Sequence, residues 1–176
     1  MKRRVVKSES VYEGRVIGVA VETVEQPDGS LAVREVVRHP GGAVAVPLLA
    51  DGRVVLVRQY RHPTGRDLLE LPAGKLDPGE PPENSVRREL EEESGYRAGS
   101  VRKICAFYPT PGFCDEILHL FLATDLQPSR QHLEADEESM TVEVYTQEQL
   151  AAMIERGDII DGKTLIGLLW LRAFTT

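Results

Sequence analysis

The stretch "GKLDPGEPPENSVRRELEEESGY", residues 74–96, decides how the rest of the chain is read. Pro81 and Pro82 suit the first turn of a helix, where a missing N–H costs nothing. Gly95 suits a left-handed stop at its end. Four of the five positions from Glu89 to Glu93 are glutamates. At one residue per 100°, Glu89, Glu92 and Glu93 share an arc of about 100°, while Glu91 points the opposite way and reads as a solvated surface residue. Val86 and Leu90 form an apolar stripe along the border of that arc, which places the acids at the edge of a core. Like charges three or four apart on a helix repel by roughly 0.2–0.5 kcal/mol per pair. A divalent cation reverses the sign, because two or three carboxylates are what a hard, oxygen-seeking ion binds.

The wider composition is consistent with a small-molecule site. A chain of 176 residues holds one well-cored domain with room for a small appendage, and its 41% hydrophobic and 28% charged residues are ordinary for a soluble globular protein. The net charge of −7 argues against broad binding to nucleic acid or anionic membranes. An anionic ligand would need cations supplied locally, by metal or by arginines. The two cysteines, Cys105 and Cys114, form no CxxC motif, and His39, His62, His119 and His132 are scattered, so neither a disulfide framework nor a zinc site is expected. "MKRRVVKSES" has no apolar segment behind its basic residues, and "LIGLLWL" is far too short to span a bilayer. The expectation is a soluble, cytoplasmic protein without nucleic-acid or membrane partners.

Outward from the helix, residues 16–37 are two β-rich runs around the turn signal "PDGS". "HPGG" breaks the pattern, and a second pair of runs, "AVAVPLLADGRVVLVRQYR", turns at Asp51-Gly52. Beyond the helix, "VRKICAFY", "ILHLFLATDL" and "MTVEVY" read as strands, with an acidic loop, "EADEES", before the last. Thr146 and Gln149 form a capping box for a helix ending at Gly157, and Asp161 caps a final apolar helix. Strands, helix, strands and helices with mixed connections predict an α+β chain, an α/β/α sandwich on a mixed sheet.

Gly74, Glu80 and the run Arg88-Glu89-Leu90-Glu91-Glu92-Glu93-Ser94-Gly95-Tyr96 match G-x5-E-x7-R-E-U-x-E-E-x-G-U at every specified position. The segment thereby resembles the Nudix box, the signature of hydrolases that cleave a nucleoside diphosphate linked to another group. The resemblance implies a Nudix fold over residues 41–176, preceded by a β-rich module over residues 1–40 that makes a homodimer and completes the nucleotide pocket. It implies Mg²⁺, with Mn²⁺ the other candidate and more than one ion per site. The metal positions would be Glu89, Glu93, Glu92 and the Ala73 carbonyl. Glu80 and Arg88 would brace the loop and helix as an ion pair, Gly74 would allow close backbone approach, and Gly95 would end the helix.

The flanks "LLELPAGKLDPGE" and "YPTPGFCDE" resemble the ADP-ribose pyrophosphatase branch, which carries a proline about fifteen residues beyond the box. Pro111 and Gly112 occupy that place, though an ordinary Pro-Gly turn has the same sequence. GDP-mannose, UDP-glucose and other nucleotide-sugar pyrophosphatases share much of the pattern, and some Nudix domains only sense nucleotides. In the branch, the Arg61 position contacts substrate phosphate, a role for which a guanidinium fork is suited. Arg58 is a second candidate or an exposed strand residue. Glu70 accepts from a ribose hydroxyl or anchors the following turn, and Arg34 is a candidate adenine-side contact. The branch places a general base on the loop before the last strand. Register there favours Glu138, then Glu137, with Asp136 also in reach. Such a base adds about 10²–10⁴-fold.

Overall fold

The structure, a computed structural model, describes residues 3–133 and 139–174. It divides into two compact units, Met1–Gly41 with Tyr108–Ile117, and Gly42–Phe107 with Leu118–Thr176.

The first unit is an antiparallel sheet of β1 (Arg4–Glu13), β2 (Gly18–Glu25) and β3 (Leu31–Arg38), with β2 in the middle. The turn predicted at "PDGS" closes through Gln26 N–H to Ser30 O at 2.8 Å, with Gly29 at φ 82°. Asp28 accepts from both the N–H and the hydroxyl of Ser30. β2 alternates as a half-buried strand should, with Ala20, Glu22 and Val24 on its covered face. β1 was not foreseen. Its "RVVKSESVYE" is exposed along its whole length and carries two register shifts, so no clean alternation marks it as a strand.

In the second unit, β4 (Gly42–Pro47) lies between β7 (Ala73–Lys75) and β9 (Leu118–Pro128), and β8 (Tyr96–Phe107) completes that sheet. β4 runs parallel to β9 and antiparallel to β7. A second sheet orders β10 (Thr141–Tyr145), β5 (Val54–Arg61) and β6 (Arg66–Glu70). β4 is buried on both faces, and its period-two pattern sorts residues by size. Ala43 and Ala45 pack with Val86 and Leu90 of α1 (Pro82–Ser94). Val44 and Val46 pack with Leu150 of α2 (Gln147–Arg156) and with Leu168 and Leu171 of α3 (Gly162–Phe174). Helices therefore cover both faces of a mixed sheet, as the sequence predicts.

One connection differs from its sequence pattern. The Asp51-Gly52 turn forms, with Gly52 at φ 85° and its N–H on Leu49 O at 2.9 Å. The strands it joins share a single bridge, Leu48 to Val54, and then enter different sheets. Both edges of β4 are already taken by β7 and β9, so β5 pairs with β6 and β10 instead. Among the described residues, no helix is long and apolar enough to cross a membrane.

Candidate active site

α1 begins at Pro82 after an extended Pro81 and ends where Gly95, at φ 70°, donates its N–H to Glu91 O at 2.9 Å. Its apolar stripe is fully inside, Val86 1% and Leu90 0% exposed. That burial fixes the helix rotation and so fixes where the neighbouring acids point. Glu93 is buried, and its Oε2 accepts the Ala73 N–H at 2.9 Å, which ties α1 to β7. Glu89 presses against Gly74 so closely that a Cβ there would lie 1.9 Å from the Glu89 Cδ. Any Cβ there would displace the Glu89 carboxylate.

Arg88 organises the remaining carboxylates. Its Nη1 donates to Glu89 at 2.7 Å and to Glu92 at 3.1 Å, while Nη2 reaches Glu80 at 3.1 Å. Partial burial disfavours its charge, but the hydrogen bonds and charges of Glu80 and Glu89 outweigh burial and raise its pKa well above the ordinary arginine value. Glu80 also accepts the Asp77 N–H at 3.3 Å, so the ion pair closes the loop onto the helix. Glu91 turns away from the site, as its position on the helix predicts. It is held by Arg97 and Ser129, whose donors lower its pKa to about 2.

A second charged cluster lies at the end of β5 and β6. Arg61 grips the buried Glu70 with two parallel hydrogen bonds, 2.8 and 2.7 Å. Lys163, in the first turn of α3, also bonds Glu70, and reaches Asp161 at 3.1 Å. Asp161 caps α3 by accepting the Thr164 N–H at 3.0 Å, and the Thr164 hydroxyl accepts the Leu71 N–H at 2.8 Å. Burial works to raise the Glu70 pKa, but Arg61 and Lys163 prevail and lower it. The Arg61 pKa is raised first by its bond to Glu70, with the charges of Glu93 and Asp161 adding to it. Arg61 is therefore within electrostatic reach of the box.

Arg58 is engaged by Glu143 at 2.5 and 3.2 Å, with the Tyr145 hydroxyl on the same carboxylate. Arg34 is exposed on β3, its guanidinium folded back on Val33 O at 2.8 Å. Pro111 and Gly112 form an exposed turn in the N-terminal unit. Asp136, Glu137 and Glu138 lie outside the described residues. Sequence reasoning missed Lys163 altogether. Its signal was there: a lysine in the first turn of a helix opposes the macrodipole and calls for a nearby carboxylate.

Among the described residues, no three His, Cys, Asp or Glu side chains stand gathered as a formed metal site. Glu89 and Glu92 turn to Arg88, and Glu93 to the Ala73 N–H. In donor chemistry the set nevertheless suits a hard divalent ion, since carboxylate and carbonyl oxygens are its preferred ligands. The space kept open at Gly74 holds Glu89 tight against the backbone beside Ala73.

The model of the NUDIX domain matches residues 38–166. The chain belongs to the NUDIX family. Divalent-metal dependence is general to Nudix hydrolases. Residues 4–37 match a second model, the nucleoside diphosphate sugar hydrolase N-terminal domain. The Nudix chain is 40% identical to an ADP-ribose pyrophosphatase of Bacillus subtilis (strain 168), covering 98% of this chain and 94% of that one. It is 36% identical to a methanol dehydrogenase activator of Bacillus methanolicus, covering 97% and 93%. Its fold matches the crystal structure of an ADP compounds hydrolase with a TM-score of 0.85, covering 99% and 94% at 23% identity.

Proposed function

We propose that this Nudix hydrolase cleaves the pyrophosphate bond of ADP-ribose to AMP and ribose 5-phosphate, with Mg²⁺ as its first-choice ion and Mn²⁺ the other candidate. The observation that carries the substrate is the near full-length, 40% identical relative named an ADP-ribose pyrophosphatase. When bound, divalent ions would offset phosphate charge and acidify a water. The chain's own residues divide the remaining work. Glu89, Glu92 and Glu93, with the Ala73 carbonyl, are the oxygen donors. Arg88 and Glu80 hold the loop that carries Gly74 against the helix. Arg61 supplies a fixed cation for substrate phosphate, its direction set by Glu70. Pro111, Gly112, Arg34 and Arg58 are the remaining substrate contacts.

Glu138 is the proposed base, with Glu137 next. If Glu138→Gln keeps near-native kcat while Glu92→Gln abolishes it, the base belongs on α1. We also infer a cytoplasmic homodimer built through the 1–40 module. Val11, Tyr12, Leu31 and Val33 are each about half exposed or more, and the long outer strand β1 offers an unpaired edge.

The deciding experiment compares kcat/KM for ADP-ribose, GDP-mannose, UDP-glucose and NADH, with Mg²⁺ and under chelation. ADP-ribose is expected to lead, and turnover to vanish with chelation. Preference for another sugar moves the assignment within the family. Binding without turnover favours a nucleotide sensor.

A further inference from the structure

In sequence, Tyr108–Ile117 joins β8 to β9, yet it packs with the N-terminal unit. One carboxylate fastens it there. Asp115 accepts the His39 N–H on Oδ1 and the Arg38 Nη1 on Oδ2, each at 2.9 Å. Backbone bonds flank the carboxylate, with Val37 N–H on Phe113 O at 2.7 Å and Asp115 N–H on Val37 O at 3.1 Å. Val37 and Cys114 thereby form an isolated parallel bridge. Arg38 continues the chain of charge, its Nη2 donating at 2.5 Å to Glu22, which is 9% exposed on the covered face of β2. Burial opposes the charge on Asp115, but Arg38 and the His39 N–H outweigh it and lower its pKa.

Beyond this anchor the segment turns tightly. Thr110 O accepts the N–H groups of Phe113 and Cys114 at 3.3 and 3.1 Å, leaving Pro111 and Gly112 exposed at the tip. Glu22 makes Arg38 hard to replace, because a nearly buried carboxylate that loses its cation is costly. Asp115 in turn takes up the second face of the same guanidinium. Glu22 on β2, Val37 and Arg38 on β3, and the His39 N–H thus converge on the position of one turn.

We propose that Arg38 and Asp115 are positioning residues for the substrate, a latch that sets the Thr110-Pro111-Gly112 turn in register with the N-terminal sheet. This rests on the substrate role proposed above for Pro111 and Gly112. Neither latch residue touches substrate. The two half-exposed partners contribute little as a bare ion pair; the backbone N–H donor at His39 and the tie to Glu22 supply the rest.

The test uses the full-length protein and the variants Asp115→Ala, Asp115→Asn, Arg38→Met and the Arg38→Met/Asp115→Ala pair. Hydrogen exchange reports on peptides covering 108–117, and kinetics use whichever nucleotide sugar the wild type turns over fastest. Asp115→Ala is expected to speed exchange across 108–117 and to raise KM about 5- to 20-fold, with kcat held within about 2-fold. Asp115→Asn, which keeps an acceptor for His39, recovers part of the KM. The pair is less damaging than the two single changes summed, because the Arg38–Asp115 bond is lost in each of them. Unchanged exchange in Asp115→Ala refutes the latch. Faster exchange with unchanged KM refutes its role toward substrate, as do losses of kcat and KM that merely follow Tm. A wild type that turns over no nucleotide sugar overturns the proposed function and the substrate role together, while exchange still decides whether the latch exists.

Discussion

At Gly74 the absence of one carbon determines where a carboxylate stands. An alanine Cβ would lie 1.9 Å from Glu89 Cδ, so the Glu89 carboxylate would have to swing from the place where it accepts from Arg88 at 2.7 Å. A displacement of about 1 Å at a reacting centre costs on the order of 100-fold. Gly74→Ala is therefore expected to lower kcat about 100-fold with its far-UV circular dichroism unchanged; activity close to wild type would show that Glu89 placement is not required. Glu70 yields a pH prediction. Its folded pKa is below the ordinary 4.5, so its stabilisation is complete above pH 4.5 and is lost as pH falls through the folded value. Glu70→Gln should cost about 3 kcal/mol at neutral pH, where it removes the buried counter-charge that Arg61 and Lys163 share, and progressively less in acid. Urea unfolding at neutral pH and well below 4.5 checks this, and an equal cost at both would contradict it. The box residues were legible because one helix sets their spacing. Lys163 carried a local signal in the first turn of α3, but its partner was not legible, since Glu70 is 93 residues away.

Elements follow the same division. The helix ends are written locally. Thr146 accepts the Gln149 N–H at 3.2 Å while the Gln149 side chain accepts from Thr146 N–H at 2.9 Å, and Gly157 closes α2 in the left-handed region. Thr146→Ala should cost about 1 kcal/mol in urea unfolding; no change would show that tertiary packing alone holds α2. Gly167 is the opposite case. Helix propensity alone says that alanine there gains about 1 kcal/mol. A Cβ would nevertheless meet Leu71 Cδ1 at 2.4 Å and Val46 Cγ2 at 3.0 Å, and both neighbours are fully buried. Overpacking of this kind costs about 1–3 kcal/mol, so Gly167→Ala should lower Tm rather than raise it. A raised Tm would mean that α3 shifts outward at little cost. No helix-propensity scale shows this, because the obstruction comes from β4 and from Leu71.

For the whole molecule, the exposed apolar residues on β1 and β3 lead to a prediction about assembly. Light scattering should give twice the 19.5 kDa chain mass, and Leu31→Glu/Val33→Glu should reduce it to one. A single-chain mass for the wild type ends that idea. Mg²⁺ should raise the Tm of the wild type and leave Glu89→Gln unmoved, whatever the substrate proves to be. By itself, the sequence determined the glutamate-rich helix, its metal-suited face, the two capped helices behind it and the family those residues mark. Each depends on side chains within a few turns of one another, where backbone geometry alone sets distance. The tertiary structure decided that β4 lies parallel to β9 rather than beside β5, that Glu70 is shared between Arg61 and Lys163, and that Asp115 fastens a distant turn to β3. Such pairings join segments that meet only once competing surfaces have been buried, and no local spacing encodes that outcome.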